Sequence, residues 1–281
     1  MGSRLFRLCV PLALNDYLRS GLNTAEQLLI PYGLARYGGS TEAAMGAYGT
    51  IHAMVFPVLM FPAAVLYSLS DLLVPELSRA KAMGRRLRIM DLTDKCLRLT
   101  VLFASAVAGF LFVSADKLGL WLYGSMDAGV YLRLFAPMVL MLYLDAITDG
   151  MLKGLAEQVS CVRYNTLTNA MDVVLLFLFL PKFGIIAYIL TFLITHAVNL
   201  WLSLRKLLEV TRHHFRLKEL CRPFFCLTLS ASIAVVLPCP SWSGVYFLIL
   251  LGASYTLWDA LLPKDRHWLE GVFRASVKKH H

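Results

Sequence analysis

The residues best suited to chemistry in this 281-residue sequence lie near its N-terminus, inside a stretch that is otherwise apolar. At about 100° per residue, six polar side chains of the segment LCVPLALNDYLRSGLNTAEQLLIP fall within an arc of about 120° on a helix. Carboxylates, amides and a guanidinium on one helix face can bind a polar ligand or exchange a proton or cation. This polar stripe comprises Asn15, Asp16, Arg19, Asn23, Glu26 and Gln27.

The cost of placing charges in a bilayer limits where the polar stripe can lie. Inserting a charged residue near the bilayer centre costs about 2.5–3.5 kcal/mol of free energy, whereas inserting a leucine is favourable by about 0.3–0.6 kcal/mol. Asp16, Arg19 and Glu26 therefore outweigh the surrounding leucines, and the stripe must face protein or water. Two interpretations stay open. The stripe is either an interhelical network in which Asp16 or Glu26 neutralises Arg19, or the wall of a polar cavity, which the number of polar residues favours.

Further polar residues occur in later apolar segments. Asp145 and Asp149 are one turn apart, and Lys153 follows at the next turn, so an ordinary i,i+4 ion pair between Asp149 and Lys153 is favoured. A lone Asn or His in a membrane helix more often joins helices than binds substrate; this applies to Asn165, Asn169, His196 and Asn199. The candidate ion-coupling residues are Asp16, Glu26, Asp145 and Asp172.

Composition indicates an all-α membrane protein. The chain is 58% hydrophobic and only 16% charged, against about 25% charged in an ordinary soluble domain. A helix needs about 20 mostly apolar residues to cross the hydrocarbon layer. A β-barrel is excluded because the apolar runs do not alternate. The predicted spans are residues 8–34, 46–75, 97–115, 130–152, 160–180, 185–204, 223–238 and 244–262.

The distribution of basic residues predicts orientation. If the segments alternate, most of the 27 Lys and Arg residues fall in loops on one side, so both termini are expected in the cytoplasm and the chain in the cell membrane. Contact with an anionic leaflet of the lipid bilayer then explains the formal net charge of +9 without a nucleic-acid partner. Residues 76–99 and 204–221 are predicted to be amphipathic helices lying on that leaflet.

Two prolines interrupt the second predicted span. Pro57 and Pro62 each remove a backbone donor and clash with the preceding turn, which predicts a kink or local unwinding. Breaks of this kind are common where transporters change shape, so both prolines are hinge candidates, with a static kink as the alternative. His52, in the same segment, is interpreted as a packing or capping residue.

No catalytic constellation is present in the sequence. Motifs such as GxSxG, HExxH, CxxC, the P-loop and DDxxD are missing, and the six cysteines lack metal-ligand spacing. We therefore expect no catalytic residue, no metal and no cofactor, and a protein that is not an enzyme.

Several phrases, taken in order, resemble a known family. They are PLALNDYLRSGLNTAEQLLIPYGL, EAAMGAYG, LSDLLVPELSRA, DAITDGMLKGLAEQVSCVRYN and LPKFGIIAYI. These phrases resemble the second half of polysaccharide and lipid-linked oligosaccharide flippases in the multidrug/oligosaccharidyl-lipid/polysaccharide exporter superfamily, particularly the stage V sporulation protein B branch. The likeness runs from about residue 8 to residue 206, and EAAMGAYG and LSDLLVPELSRA are its most specific parts.

The resemblance implies a fold of two six-helix lobes around a central cavity. Residues 1–207 would form the second, C-terminal lobe, and residues 208–281 an amphipathic linker and two additional transmembrane helices with a cytoplasmic tail. A missing N-terminal lobe or a partner half would complete the cavity.

The same resemblance implies a substrate and a mechanism. An undecaprenyl-diphosphate-linked glycan would be moved from the inner to the outer leaflet by alternating access. Arg19 is the expected diphosphate contact, with Asn15, Asn23 and Gln27 as hydrogen-bonding neighbours.

Two other functions are considered. A multidrug or cation antiporter of the same fold would depend on carboxylates such as Asp16, Asp145 and Asp172. A membrane glycan polymerase or ligase is a remoter alternative, because it would need a sizeable outer loop with catalytic residues. The largest candidate loop, residues 116–129, offers only Asp116, Lys117 and Asp127.

Overall fold

The structure is a computed structural model that describes residues 2–37, 41–212 and 251–252, with the side chains of residues 17–37, 42–212 and 251–252. These residues are nearly all helical and form no strand. A π-helical turn (Ile51–Val55) joins α2 to α3, and a 3-10 turn (Ala136–Met138) joins α6 to α7. The α-helices are α1 (Gly2–Arg36), α2 (Thr41–Thr50), α3 (Phe56–Met60), α4 (Ala63–Ala82), α5 (Arg86–Tyr123), α6 (Met126–Phe135), α7 (Val139–Gly154), α8 (Gln158–Phe183) and α9 (Ile185–Thr211).

Five helical stretches of the described chain are long and apolar enough to cross a membrane. They correspond to the second to sixth predicted spans, so the described residues confirm an all-helical fold with helices of membrane-spanning length and apolarity. The first predicted span coincides with α1, whose charged stripe makes it less apolar than the other five. The predicted span 223–238 lies outside the described residues. Of the predicted span 244–262, only the helical residues 251–252 are described, and of the linker before these spans, only residues 208–212. The five stretches are Glu42–Met60, Arg86–Tyr123, Met126–Gly154, Gln158–Phe183 and Ile185–Thr211.

The amphipathic helix predicted over residues 76–99 is wrong. The chain instead continues α4 through Pro75 to Ala82 and turns at Gly84, whose φ of 66° suits glycine. It then enters α5, which has 38 residues and is about 57 Å long. This exceeds the hydrocarbon thickness of about 30 Å. The charged residues therefore extend two packed helices beyond the apolar layer and do not form a separate surface helix.

Intrahelical ion pairs stabilise the polar first part of α5. Lys95 Nζ lies 2.8 Å from Asp91 Oδ2, and Arg98 Nε lies 2.8 Å from Asp94 Oδ2. Both pairs have the i,i+4 spacing that adds a few tenths of a kcal/mol on a helix. The charge pattern that suggested an amphipathic surface helix therefore reflects helix-stabilising ion pairs.

The second and fourth predicted spans are both broken. In the second, the π-helical turn precedes Pro57, and α3 ends at a turn formed by Phe61 and Pro62. In the fourth, Pro137 lies in the 3-10 turn between α6 and α7, a break that the sequence analysis did not predict. Proline has no N–H to donate, so the helical ladder is interrupted in each case. The role of Pro57 and Pro62 as a hinge stays a prediction.

A side chain from α7 satisfies a backbone group exposed by the break after α3. The Tyr143 hydroxyl donates a hydrogen bond of 2.7 Å to the Leu59 carbonyl oxygen, and both residues are buried. Non-helical backbone at membrane depth is tolerated only where protein or water supplies such partners. Tyr143 therefore fixes the broken segment against α7.

Replacing Tyr143 by Phe is expected to lower the free energy of unfolding by about 1–3 kcal/mol, because the buried Leu59 carbonyl loses its partner. Thermal unfolding in detergent measures the change. Tyr17→Phe, at an exposed position of α1, is the control and should unfold like the unmodified protein. Equal stability of Tyr143→Phe and the control would contradict this role.

Two glycines let α4 and α7 approach closely. Gly150 and Gly154 form a GxxxG spacing on α7, which permits close backbone contact between membrane helices. A Cβ on Gly154 would lie 3.0 Å from the Val74 carbonyl oxygen and 3.1 Å from Leu77 Cβ. Ser78 also donates a hydrogen bond of 2.8 Å to the Gly154 carbonyl. The α4–α7 pair is therefore held together by backbone proximity.

We expect Gly154→Val to destabilise the bundle by about 1–3 kcal/mol, because overpacked side chains force the backbones apart. Gly21→Val on α1 is the matched control, since a Cβ there meets no atom within 4 Å. The unfolding temperatures of the two variants in the same detergent give the comparison. Similar values for both would show that the close α4–α7 contact is not needed.

Candidate functional site

The helices line a cavity of about 730 Å³ that is open on one side of the bundle. Its walls come from α1, α4, α7, α8 and α9 together with the π-helical turn and α3. Among these helices, α7 packs against α4 and α9, and it also packs against α5. Many polar residues of α1, α7, α8 and α9 line this space. The sequence therefore places its costly side chains where water or a ligand can contact them.

A chain of carboxylates and amides connects three helices along the cavity wall. Asn199 Nδ2 lies 2.9 Å from Asp145 Oδ2, 3.0 Å from Asp145 Oδ1 and 2.9 Å from Asn165 Oδ1. Asn165 Nδ2 in turn donates to Asp149 Oδ2 at 3.0 Å. Ser203 Oγ donates to Asp149 Oδ1 at 3.3 Å. The two amides therefore link the two aspartates of α7 through α8 and α9, and we call these five residues the Asp145 network.

Two further hydrogen bonds extend the polar wall. Thr195 Oγ1 of α9 lies 2.8 Å from Asp172 Oδ1 of α8. Asn169 Nδ2 of α8 donates to Asn23 Oδ1 of α1 at 3.1 Å. Each bond joins neighbouring helices, so the wall is a set of interhelical contacts as well as a lining.

Acidic side chains outnumber permanent cations in the lining of the cavity. Its lining includes five carboxylates and two permanent cations, Arg19 and Lys153. Among the described side chains, no carboxylate oxygen lies within 4.0 Å of either cation. Both cations are exposed and remain able to contact a ligand. The carboxylates are Glu26, Asp71, Asp145, Asp149 and Asp172.

The structure brings together four of the residues selected from the sequence. Arg19, Glu26, Asp145 and Asp172 line the same cavity. Asn23 lies at the α1–α8 contact, whereas Gln27 is exposed and does not line the cavity. The side chains of Asn15 and Asp16 lie outside the described residues.

The structure corrects one expected ion pair and adds a feature to His52. Asp149 and Lys153 do not form the expected i,i+4 pair, because Asp149 is held by Asn165 and Ser203 while Lys153 faces the cavity. The packing interpretation of His52 agrees with its ring contacts to Tyr48 and Phe56, and its side chain is also exposed on the π-helical turn and lines the cavity.

The full polar face of α9 was not predicted from the sequence. Thr191, Thr195, Asn199 and Ser203 recur at intervals of four, and all four are buried. This i,i+4 spacing is the signal of a helix face. It is difficult to see in the sequence because threonine and serine also occur on apolar helices, where their hydroxyls bond to their own backbone.

Comparisons with known proteins give one similarity. Stage V sporulation protein B of Bacillus subtilis (strain 168) is 30% identical over 131 residues, which are 46% of this chain and 25% of that protein. The chain thus spans about a quarter of the length of the relative that it matches. No protein-family model matches the chain, and no solved structure matches it. The similarity supports the resemblance found in the sequence phrases.

Among the described residues, no group of three or more His, Cys, Asp or Glu side chains is placed to bind a metal ion. The donors, acceptors and unpaired cations of the site suit a polar ligand that carries anionic and hydroxyl groups.

Proposed function

We propose that the chain transports a lipid-linked saccharide across the cytoplasmic membrane by alternating access, as the six-helix C-terminal lobe of a flippase. The observation that carries this proposal is the polar cavity within an otherwise apolar helical bundle. An ionisable wall at membrane depth is costly unless it faces a solvated path or a polar ligand. The similarity to stage V sporulation protein B agrees with the resemblance that implies this activity.

The size and chemistry of the cavity suit the head group of a lipid-linked saccharide. Ligand pockets of about 300–1,000 Å³ accommodate small molecules, and this cavity measures about 730 Å³. Arg19 and Lys153 offer the cationic donors that bind phosphate oxygens. The amides and carboxylates of the Asp145 network can bind sugar hydroxyls.

A second lobe would complete this cavity. Arg19, Asn23 and Gln27 are exposed on α1, and such a stripe cannot face acyl chains. An N-terminal lobe or a partner half that covers α1 would turn the open side into an enclosed path, with residues 208–281 adding the linker and two further helices. We propose this arrangement in the cell membrane with both termini in the cytoplasm.

The excess of carboxylates favours a second candidate, a multidrug or cation antiporter of the same fold. Five cavity carboxylates outnumber the two permanent cations, which suits a cationic substrate or a coupling ion. Neutralising Asp16, Asp145 and Asp172 singly should reduce proton-linked dye efflux if this function applies.

A glycan polymerase or ligase has less support than either transport function, because the candidate outer loop is short. Residues 116–129, the candidate outer loop, are helical apart from Gly124 and Ser125. Asp116 Oδ2 lies 2.6 Å from Arg133 Nη2 in an ion pair. No sizeable catalytic loop is left in that part of the described chain.

Reconstitution into vesicles separates the two transport functions. The protein, with its completing lobe, is incorporated into liposomes that contain a fluorescent undecaprenyl-diphosphate disaccharide, and a membrane-impermeant quencher reports the labelled lipid in the outer leaflet. The flippase predicts faster exchange between leaflets than in protein-free vesicles. Proton-linked efflux of a cationic dye without lipid exchange would instead establish the antiporter.

A further inference from the structure

Four aromatic rings line the cavity in a continuous row, which we call the aromatic wall: His52, Phe56, Phe192 and His196. The ring centroids of Phe56 and Phe192 are 5.2 Å apart, and those of Phe192 and His196 are 4.2 Å apart. His52 lies 5.9 Å from Phe56 in an edge-on arrangement. The row therefore joins the π-helical turn and α3 to α9 across one side of the cavity.

A buried second layer holds the aromatic wall in place. Phe135, which is fully buried, lies 5.5 Å from Phe56 and 5.7 Å from Phe192, in both cases near perpendicular. Tyr48 supports His52 at 5.6 Å. The two edge-to-face contacts of Phe135 are favourable and fix the orientation of the Phe56 and Phe192 rings. The wall is therefore a preorganised surface.

Two features are not explained by packing alone. His52 is exposed on a π-helical turn, and single π-turns are rare and occur frequently at functional sites. His196 Nδ1 is buried without a hydrogen-bond partner among the described residues, and buried polar atoms are normally paired. His52 thus presents an exposed imidazole to a ligand in the cavity, and the ring of His196 lines the same cavity while its Nδ1 is buried.

We propose that the aromatic wall is the subsite for a pyranose ring of the transported saccharide, an inference that rests on the proposed function. The faces of aromatic rings carry negative partial charge, which complements the C–H face of a sugar. Hydroxyls at the ring edge would meet the imidazoles and the Asp172 carboxylate, which also lines the cavity. Arg19 and Lys153 are left to bind the diphosphate, so the two parts of the head group occupy different walls.

Two matched probes test this assignment by isothermal titration of the protein with its completing lobe in nanodiscs. One probe is farnesyl diphosphate carrying a single N-acetylglucosamine, and the other is farnesyl diphosphate without sugar. We expect Phe192→Leu to weaken binding of the glycosylated probe about threefold to tenfold, in line with the strength of aromatic contacts. Binding of the sugar-free probe should not change.

A second variant and a control keep the test decisive. His52→Ala removes an exposed ring and should give the same selective loss without the packing change that Phe192→Leu introduces. Phe179→Leu, at an exposed position of α8 outside the cavity, should bind both probes normally. Unfolding temperatures identify any variant that is misfolded.

The outcomes separate this inference from the function on which it rests. If His52→Ala binds both probes normally, or loses both to the same extent, the aromatic wall does not bind the sugar, and the flippase proposal stands. If the unmodified protein binds neither probe, the proposed function fails and the sugar subsite fails with it.

Discussion

Asp145→Asn is expected to reduce transport at least tenfold while the protein still reaches the membrane. The Asp145 carboxylate accepts from Asn199 Nδ2 through both oxygens, at 2.9 and 3.0 Å. An asparagine of the same size keeps one acceptor but places an NH₂ group opposite the NH₂ group of Asn199. The pair can no longer satisfy both donors, and a misoriented polar group is costly in a low-dielectric site.

The expected loss of transport in Asp145→Asn has two causes. Disorder of Asn199 would spread to Asn165 and Asp149, because Asn199 and Asn165 connect the two aspartates. Loss of the carboxylate would also remove one of the cavity charges that a coupling ion or substrate can engage. Transport is measured in the vesicle assay, and the amount of protein in the membrane fraction is measured in parallel.

Asp116→Asn is the matched control for Asp145→Asn. Asp116 is an acidic residue of a membrane-crossing helix, but its carboxylate pairs with Arg133 away from the cavity. We expect that control to retain transport. Full activity of Asp145→Asn would show that the network only joins helices, whereas equal losses in both variants would point to general destabilisation.

The helices were predictable because their causes are local. Long apolar runs cross a bilayer whatever surrounds them, and Gly124 with Ser125 ends one helix and caps the next, as their sequence indicates. The break at Pro137 and the extension of α4 through Pro75 were less predictable. Proline weakens a helix, but neighbouring helices decide whether the ladder is interrupted or repaired.

The cavity residues were predictable only in part. The charges of α1 and α7 were conspicuous because no single helix can place them in lipid. The partners of Asp145 could not be predicted, because Asn199, 54 positions away in the sequence, becomes its neighbour only when α7 packs on α9. The exposure of His52 depends on the π-helical turn, which has no clear sequence signature. The packing of the helices therefore determines contacts and exposures that the residue types alone did not reveal.

Arg19→Ala should reduce export of the lipid-linked glycan about tenfold to a hundredfold in the complete transporter. A charge-assisted hydrogen bond contributes about 1.5–3 kcal/mol, and each 1.4 kcal/mol corresponds to a factor of ten. Arg19 is exposed at the cavity and has no ion pair among the described side chains. Its removal is therefore expected to affect the ligand more than the stability of the lobe.

Arg36→Ala on the same helix is the control for Arg19→Ala. The Arg36 guanidinium lies over the Tyr32 ring, 4.7 Å from its centroid, and does not line the cavity. Loss of export in Arg19→Ala with normal protein levels, together with full export in Arg36→Ala, would assign the diphosphate contact to Arg19. Normal export without Arg19 would remove it from the site and leave Lys153 as the permanent cation described at the cavity.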